Sequence, residues 1–167
     1  MVNDKIAARA REYTKSASIS FSAAPLGFGD DGAVWTTSRH TVLKVFERGT
    51  NYALELECYQ RLAAAGIRKI REFEVPSLLN HDDALQAIEM GFVNPPYILD
   101  FGKAYLVDPH FPDHVIEEWN ERMVFWWGDE VKRVRLALFA LRQFGIWYYD
   151  AKPGNVTLEN WSPRWDE

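Results

Sequence analysis

The stretch GFGDDGAVWTT, residues 27–37, decides how the first half of this chain folds. Gly27, Gly29 and Gly32 satisfy the spacing G-x-G-x-x-G, which has two mechanistic uses. In a dinucleotide-binding fold the third glycine opens a helix whose N-terminus meets a pyrophosphate. Here the β-prone AVWTT follows, and then TVLKVF (41–46), which is β-branched and alternating. That order favours a glycine turn between two antiparallel strands, where bare backbone can approach a triphosphate. An ordinary glycine-rich hairpin is the competing reading of these residues taken alone.

Working outward, residues 3–13 predict a short helix, with Asn3 or Asp4 as N-cap and Ile6, Ala7, Ala10 and Tyr13 on one side. SISF (18–21) alternates as a half-buried strand does. NYALELECYQRLAAAG (51–66) reads as a helix ending at Gly66. EVPSLL (74–79) and ALQAIEM (84–90) flank the polar NHDD and predict a hairpin. Helical spacing returns at 115–127, with Asp113 as N-cap, and at 129–145, with acids at its start and Gly145 at its end. Strands with one helix, followed by mostly helix, make an α+β pattern with a joint near 90–96.

The chain has 167 residues, 47% of them apolar, which fits one domain able to bury a real core. Six of the seven tryptophans lie beyond residue 118, a concentration that points to tight packing. A formal net charge of −5 and the lack of a long basic run argue against nucleic acid as a partner. The single cysteine, Cys58, excludes an internal disulfide framework. Neither a secretory signal nor a membrane-spanning apolar run stands out, so the expectation is a soluble, cytoplasmic protein without membrane partners.

Lys44 interrupts an otherwise apolar strand and gains weight from Glu55 on the next helix. Tyr59 and Leu62, at i+4 and i+7, place Glu55 on the sheet-facing side, whereas Glu57 points roughly the opposite way. Near the end of the sequence, YYDAKPGNV (148–156) spaces an acid, a lysine and an amide around a Pro-Gly turn. Asp150 could accept the proton of an attacking hydroxyl, Lys152 could neutralise phosphoryl charge, and Asn155 offers Mg²⁺ a hard oxygen. A Pro-Gly turn with Asp and Asn bonding nearby backbone is the competing reading.

Taken together, GFGDDGAV, Lys44 in VLKVF, Glu55 and YDAKPGN resemble, in order and rough spacing, the protein kinase-like superfamily over residues 18–158. The resemblance implies an antiparallel β-rich N-lobe with one helix (about 1–90) and a reduced helical C-lobe (about 91–167). It also implies ATP and Mg²⁺ as cofactors. Gly27, Gly29, Gly32 and Val34 would cover the nucleotide, and Ile88 would be gatekeeper before a Glu89–Met90 hinge. Lys44 would contact phosphate while paired with Glu55, with Asp150 as base, Lys152 as γ-phosphate contact and Asn155 as metal ligand.

Departures accompany the resemblance. The literal D-F-G at Asp100–Gly102 precedes the catalytic loop instead of following it, so chain order argues against Asp100 and makes Asp166 the candidate second metal ligand. Asp30 and Asp31 sit where a triphosphate would be repelled, and the helical platform for an acceptor is missing. His110 and His114 have i, i+4 spacing, but Pro112 between them argues for a helix-entry loop over a metal site. An ATP- and Mg²⁺-dependent phosphotransferase is the leading expectation, with the acceptor, protein or small molecule, undetermined. A pseudokinase or a nucleotide- or protein-binding regulatory module is the alternative, and an unrelated interaction domain a third reading.

Overall fold

Asn3 opens the first helix by accepting a hydrogen bond from the Lys5 backbone N–H, and α1 runs Asp4–Ser16. The computed structural model describes residues 2–161. After α1 the chain does not form the strand expected at 18–21. Ser18 turns left-handed, and the N–H groups of Ala17, Ser18 and Ile19 satisfy the last carbonyls of α1. Only Phe21 reaches a strand-like partner, Thr37.

The glycine stretch folds as two antiparallel strands, β1 (Gly27–Gly29) and β2 (Gly32–Thr36), followed by β3 (Thr41–Phe46). Helix α2 (Gly49–Ala64) comes next, then the short β4 (Lys69–Ile70) and β5 (Phe73–Glu74). The hairpin of β6 (Leu78–Asp82) and β7 (Ala87–Gly91) completes a five-stranded antiparallel sheet in the order β1-β2-β3-β7-β6. This hairpin turns at 83–86, later than the expected NHDD turn, because Asp82 Oδ1 accepts the Leu85 N–H. The polar Asn80 and His81 are tolerated within β6 because it is a sheet edge with a face open to water.

Strand alternation gives the sheet two covered faces. Leu43 and Val45 of β3 and Ala87 of β7 pack with Ile6, Ala10 and Tyr13 of α1. Phe46, Ile88 and Met90 face the other way, into a cluster with Leu56, Tyr59 and Leu62 of α2. The β-rich half therefore carries two helices where the fold expectation allows one.

Beyond β8 (Tyr97–Ile98) the chain forms α3 (Asp113–Trp127) and α4 (Val131–Leu141), then returns through β9 (Val156–Thr157). Asp113 is the first residue of α3 and Pro112 holds the N-cap position expected of it. A second sheet, ordered β4-β5-β8-β9, joins segments from both halves. The larger core cluster is continuous through Phe73, Phe101, Trp127, Leu138 and Val156. The protein is thus α+β with an antiparallel sheet, and among the described residues no helix is long and apolar enough to cross a membrane.

Phe101 is fully buried, edge-on to both Tyr59 and Tyr148, so it links α2 to the late loop. Phe101→Ala is expected to cost about 3–5 kcal/mol, read as a lower urea midpoint in equilibrium unfolding.

Candidate functional site

Lys44 lies mid-β3 on the face turned toward α2, which places its ammonium in the interior. Its Nζ is 2.6 Å from Glu55 Oε2 and 2.9 Å from Asp100 Oδ1. Glu55 is buried and also accepts the Tyr59 hydroxyl at 3.1 Å, one helical turn on. Glu57 pairs instead with Arg61 on a half-exposed side of α2, as the helical geometry predicts. Burial opposes the charge on Lys44, but the two carboxylates outweigh it and hold the amine protonated. Burial pushes the Glu55 carboxyl up to about 7, with Lys44 opposing and Asp100 adding to the rise. One ammonium faces two carboxylates here, and the raised Glu55 pKa offsets part of that excess of acid.

Chain order argued against Asp100, yet its carboxylate is one of the two that hold Lys44. β8 runs antiparallel to β9 with Ile98 opposite Val156, and the Leu99 N–H donates to the Asn155 carbonyl at 2.9 Å. Strand pairing is indifferent to which strand comes first, so Asp100 arrives beside Asn155 although 55 residues separate them in sequence (155 − 100). Asp100 adopts left-handed backbone (φ 65°), a region Asp tolerates better than most residues. Burial pushes its carboxyl up, but Lys44, with help from Lys152 and Lys103, holds it below the ordinary range.

The loop around Asp150 is held from both sides. Tyr148 is buried and donates its hydroxyl to the Leu99 carbonyl at 3.0 Å. Trp119 and Trp127, on one face of α3, donate their indole N–H groups to the carbonyls of Tyr149 (2.9 Å) and Ala151 (3.1 Å). The backbone is thereby fixed on each side of Asp150. Asn155 donates its amide to the Asp150 carbonyl at 2.9 Å and to its carboxylate at 3.1 Å. Burial raises the Asp150 carboxyl above its ordinary range, against the pull of Lys152 and Lys103. Lys152 Nζ stands 3.9 Å from that carboxylate. The tryptophans carry a positioning task that their number in the sequence suggested only as packing. Their eight-residue spacing on one helix face was the available signal.

Above these groups lies the β1–β2 hairpin, with Gly29 opposite Gly32 and Asp30–Asp31 at the tip. Gly27, Gly29, Gly32, Lys44, Asp100 and Lys152 line a polar cavity of about 350 Å³. A second cavity of about 390 Å³ shares Gly27 and Val34 with it, and Leu26, Val42, Met90 and Leu99 make its walls apolar. Met90 therefore lines the cleft, whereas Ile88 is fully buried in the core beside α2. Glu89 faces the opposite side, where its carboxylate accepts from Tyr13 (2.9 Å) and Thr41 (2.6 Å). Its backbone sits within β7 between Leu43 and Asn80, so the first cleft residues past the ladder are Phe92 and Val93. Asp166 lies outside the described residues. Among those described, no group of three or more His, Cys, Asp or Glu side chains is arranged to hold a metal ion.

No protein-family model matches the chain, and neither a curated protein nor a solved structure matches it.

The three glycines are not equivalent. Gly32 has φ 139°, and a Cβ there would meet the Val45 carbonyl oxygen at 2.2 Å, whereas a Cβ at Gly27 or Gly29 meets nothing within 4 Å. Gly32→Ala is expected to lower stability by about 1–3 kcal/mol. Gly27→Ala and Gly29→Ala should stay within about 0.5 kcal/mol of the parent in the same denaturant titration.

Proposed function

We propose that this protein is an ATP-dependent phosphotransferase of the protein kinase-like type, with Asp150 accepting the proton of the attacking hydroxyl. The observation that carries the reading is the convergence beneath one glycine hairpin of Lys44, gripped by Glu55 and Asp100, with the Asp150–Asn155 loop. The adjoining apolar cavity suits a purine, with backbone at Phe92 and Val93 free of the β7 ladder to meet its edge. The shared Gly27–Val34 wall would let one ligand extend from the apolar cavity to the polar one.

In the proposed step the acceptor oxygen bonds to the γ-phosphorus, the bond to the β,γ-bridging oxygen breaks, and ADP leaves. Asp150 takes the hydroxyl proton, and its raised pKa makes it a better base than an ordinary carboxylate. Lys44 orients the phosphates from the floor, and Lys152 faces the transferring group. Mg²⁺, when bound, supplies neutralisation of phosphate charge. Asp100 and Asn155 are the residues that would hold it. Both offer hard oxygen donors, they adjoin the paired strands β8 and β9, and the Asp100 carboxylate, held below its ordinary range, stays ionised to meet a cation. Asp100 thus takes the role sought in Asp166.

A nucleotide-binding module without transfer is the second reading. It is favoured by Asp31 reaching into the phosphate cavity and by the direct Lys44–Asp100 pair. A thermal-shift series with ATP and Mg²⁺, combined with an ADP-release assay, separates the two. ATP with Mg²⁺ should raise the melting temperature of the wild type, and Lys44→Met should remove the shift. Asp150→Asn should keep the shift and lose about 10²–10⁴-fold in turnover. Undiminished turnover by a folded Asp150→Asn protein would sink the base assignment. A shift without turnover in the wild type would select the binding module.

A further inference from the structure

Two acids at the tip of a hairpin that covers a phosphate cavity are a liability unless they have partners. Asp31 has them. Its Oδ2 lies 3.4 Å from Lys103 Nζ, its other carboxylate oxygen accepts the Asn51 side-chain amide at the start of α2, and its carbonyl accepts the Glu47 N–H at 3.1 Å. Lys103 stands on the short turn that begins just after Asp100, so this ion pair runs between the hairpin tip and the turn carrying the metal-ligand candidate. Both residues line the polar cavity, together with Lys44 and Lys152.

The three lysines of this cavity differ in what holds them. Lys44 is buried and committed to two carboxylates, and Lys152 stands 3.9 Å from Asp150. Lys103 has a side chain 52% exposed, and its nearest acid is on the hairpin itself. That acid is the main influence holding the Lys103 amine above its ordinary range, ahead of Asp150 and Asp100. A half-exposed ion pair of this kind contributes little and exchanges readily. A phosphate offers the same ammonium several charge-assisted hydrogen bonds.

We propose that Lys103 is a polyphosphate-binding residue and that Asp31 holds its place in the free protein. Phosphate oxygens then take the ammonium over from the carboxylate, while the Asn51 amide and the Glu47 N–H keep the hairpin tip in place. The inference rests on reading the cavity as a polyphosphate site. It identifies the ligand chemistry of a residue with no assigned part in that reading. Asp30, exposed at the same tip and lining the same cavity, is the built-in control for simple charge repulsion.

The test is a calorimetric titration of the full chain with Mg²⁺–ATP and, separately, with inorganic tripolyphosphate. Lys103→Ala should weaken both probes about tenfold, the worth of one hydrogen bond between charged groups, and Lys103→Arg should restore most of the loss. Asp31→Asn should tighten both by about two- to fivefold, the worth of an exposed ion pair, and by more than Asp30→Asn does. In the Lys103→Ala background the Asp31→Asn gain should fall to the size of the Asp30→Asn gain. Equal affinity of Lys103→Ala and the wild type, or equal gains from the two Asp→Asn changes, would overturn the proposal. Lys103-dependent binding of tripolyphosphate with no added affinity for ATP would keep it and remove the nucleotide reading. ATP binding that needs Lys44 but is indifferent to Lys103 would do the reverse. Failure of the wild type to bind either probe would remove both.

Discussion

A single ammonium, that of Lys44, ties together three parts of the chain that have no covalent reason to meet. β3 carries it, α2 supplies Glu55, and the turn after β8 supplies Asp100. Breaking a buried pair costs more than forming one gains, because the abandoned charge stays buried. With two acids sharing one base, loss of Lys44 would strand both. The orientation of α2 on the sheet, and of the β8 turn beneath it, is therefore coupled to one side chain. The carboxylates of this arrangement make the pocket receptive to cations, and the lysines around its rim make it receptive to anions.

Lys44 and Glu55 were legible because each obeys a short-range rule: strand alternation for one, helical i+4 spacing for the other. The Pro-Gly turn likewise revealed the loop holding Asp150 and Asn155. Asp100 was not legible, because its place depends on the pairing of β8 with β9, which nothing in local sequence encodes. Ile88 is buried in the core and Met90 lines the cleft, although the two share one face of β7. Both residues point inward, and only the extent of the β3 and β6 ladders decides which one reaches the cleft. The polar run 80–83 looked like a turn because polarity at a sheet edge and polarity in a turn are indistinguishable without knowing the strand order. The residues at 18–21 alternate like a strand, yet the carbonyls at the end of α1 claim the first of their N–H groups.

Helix α1 contributes to the site from behind. Arg9 donates to the carbonyls of Phe46 (2.6 Å) and Leu85 (3.2 Å), bridging the end of β3 and the turn that leads into β7. Tyr13 and Thr41 together satisfy the buried Glu89 carboxylate. A sheet carrying a buried charged residue on each face needs partners on both. Lys44 on β3 finds its acids on the cleft side, and Glu89 on neighbouring β7 finds its donors on the α1 side. The two central strands are consequently anchored from opposite directions, and this keeps the glycine hairpin on a stiff base.

The segment between the two acids has a closed base. Tyr105 and Trp147 exchange backbone hydrogen bonds, both at 2.8 Å, so the chain leaves and re-enters at one point, with Asp100 just before it and Asp150 just after. The segment from 106 to 146 thus forms one excursion, yet it packs back into the larger core through Met123, Trp127, Val134 and Leu138. Loop-closure cost grows only slowly with length, so the turns that join its packed helices can be lengthened or shortened while Asp100 and Asp150 keep their places. The excursion is also pinned to the loop around Asp150, by the indole N–H groups of Trp119 and Trp127 and by Arg142, which donates to the Tyr149 hydroxyl at 3.1 Å. A chain built this way can vary the exposed outer surface of the excursion without disturbing either acid, provided these three donors and the packed face survive the change.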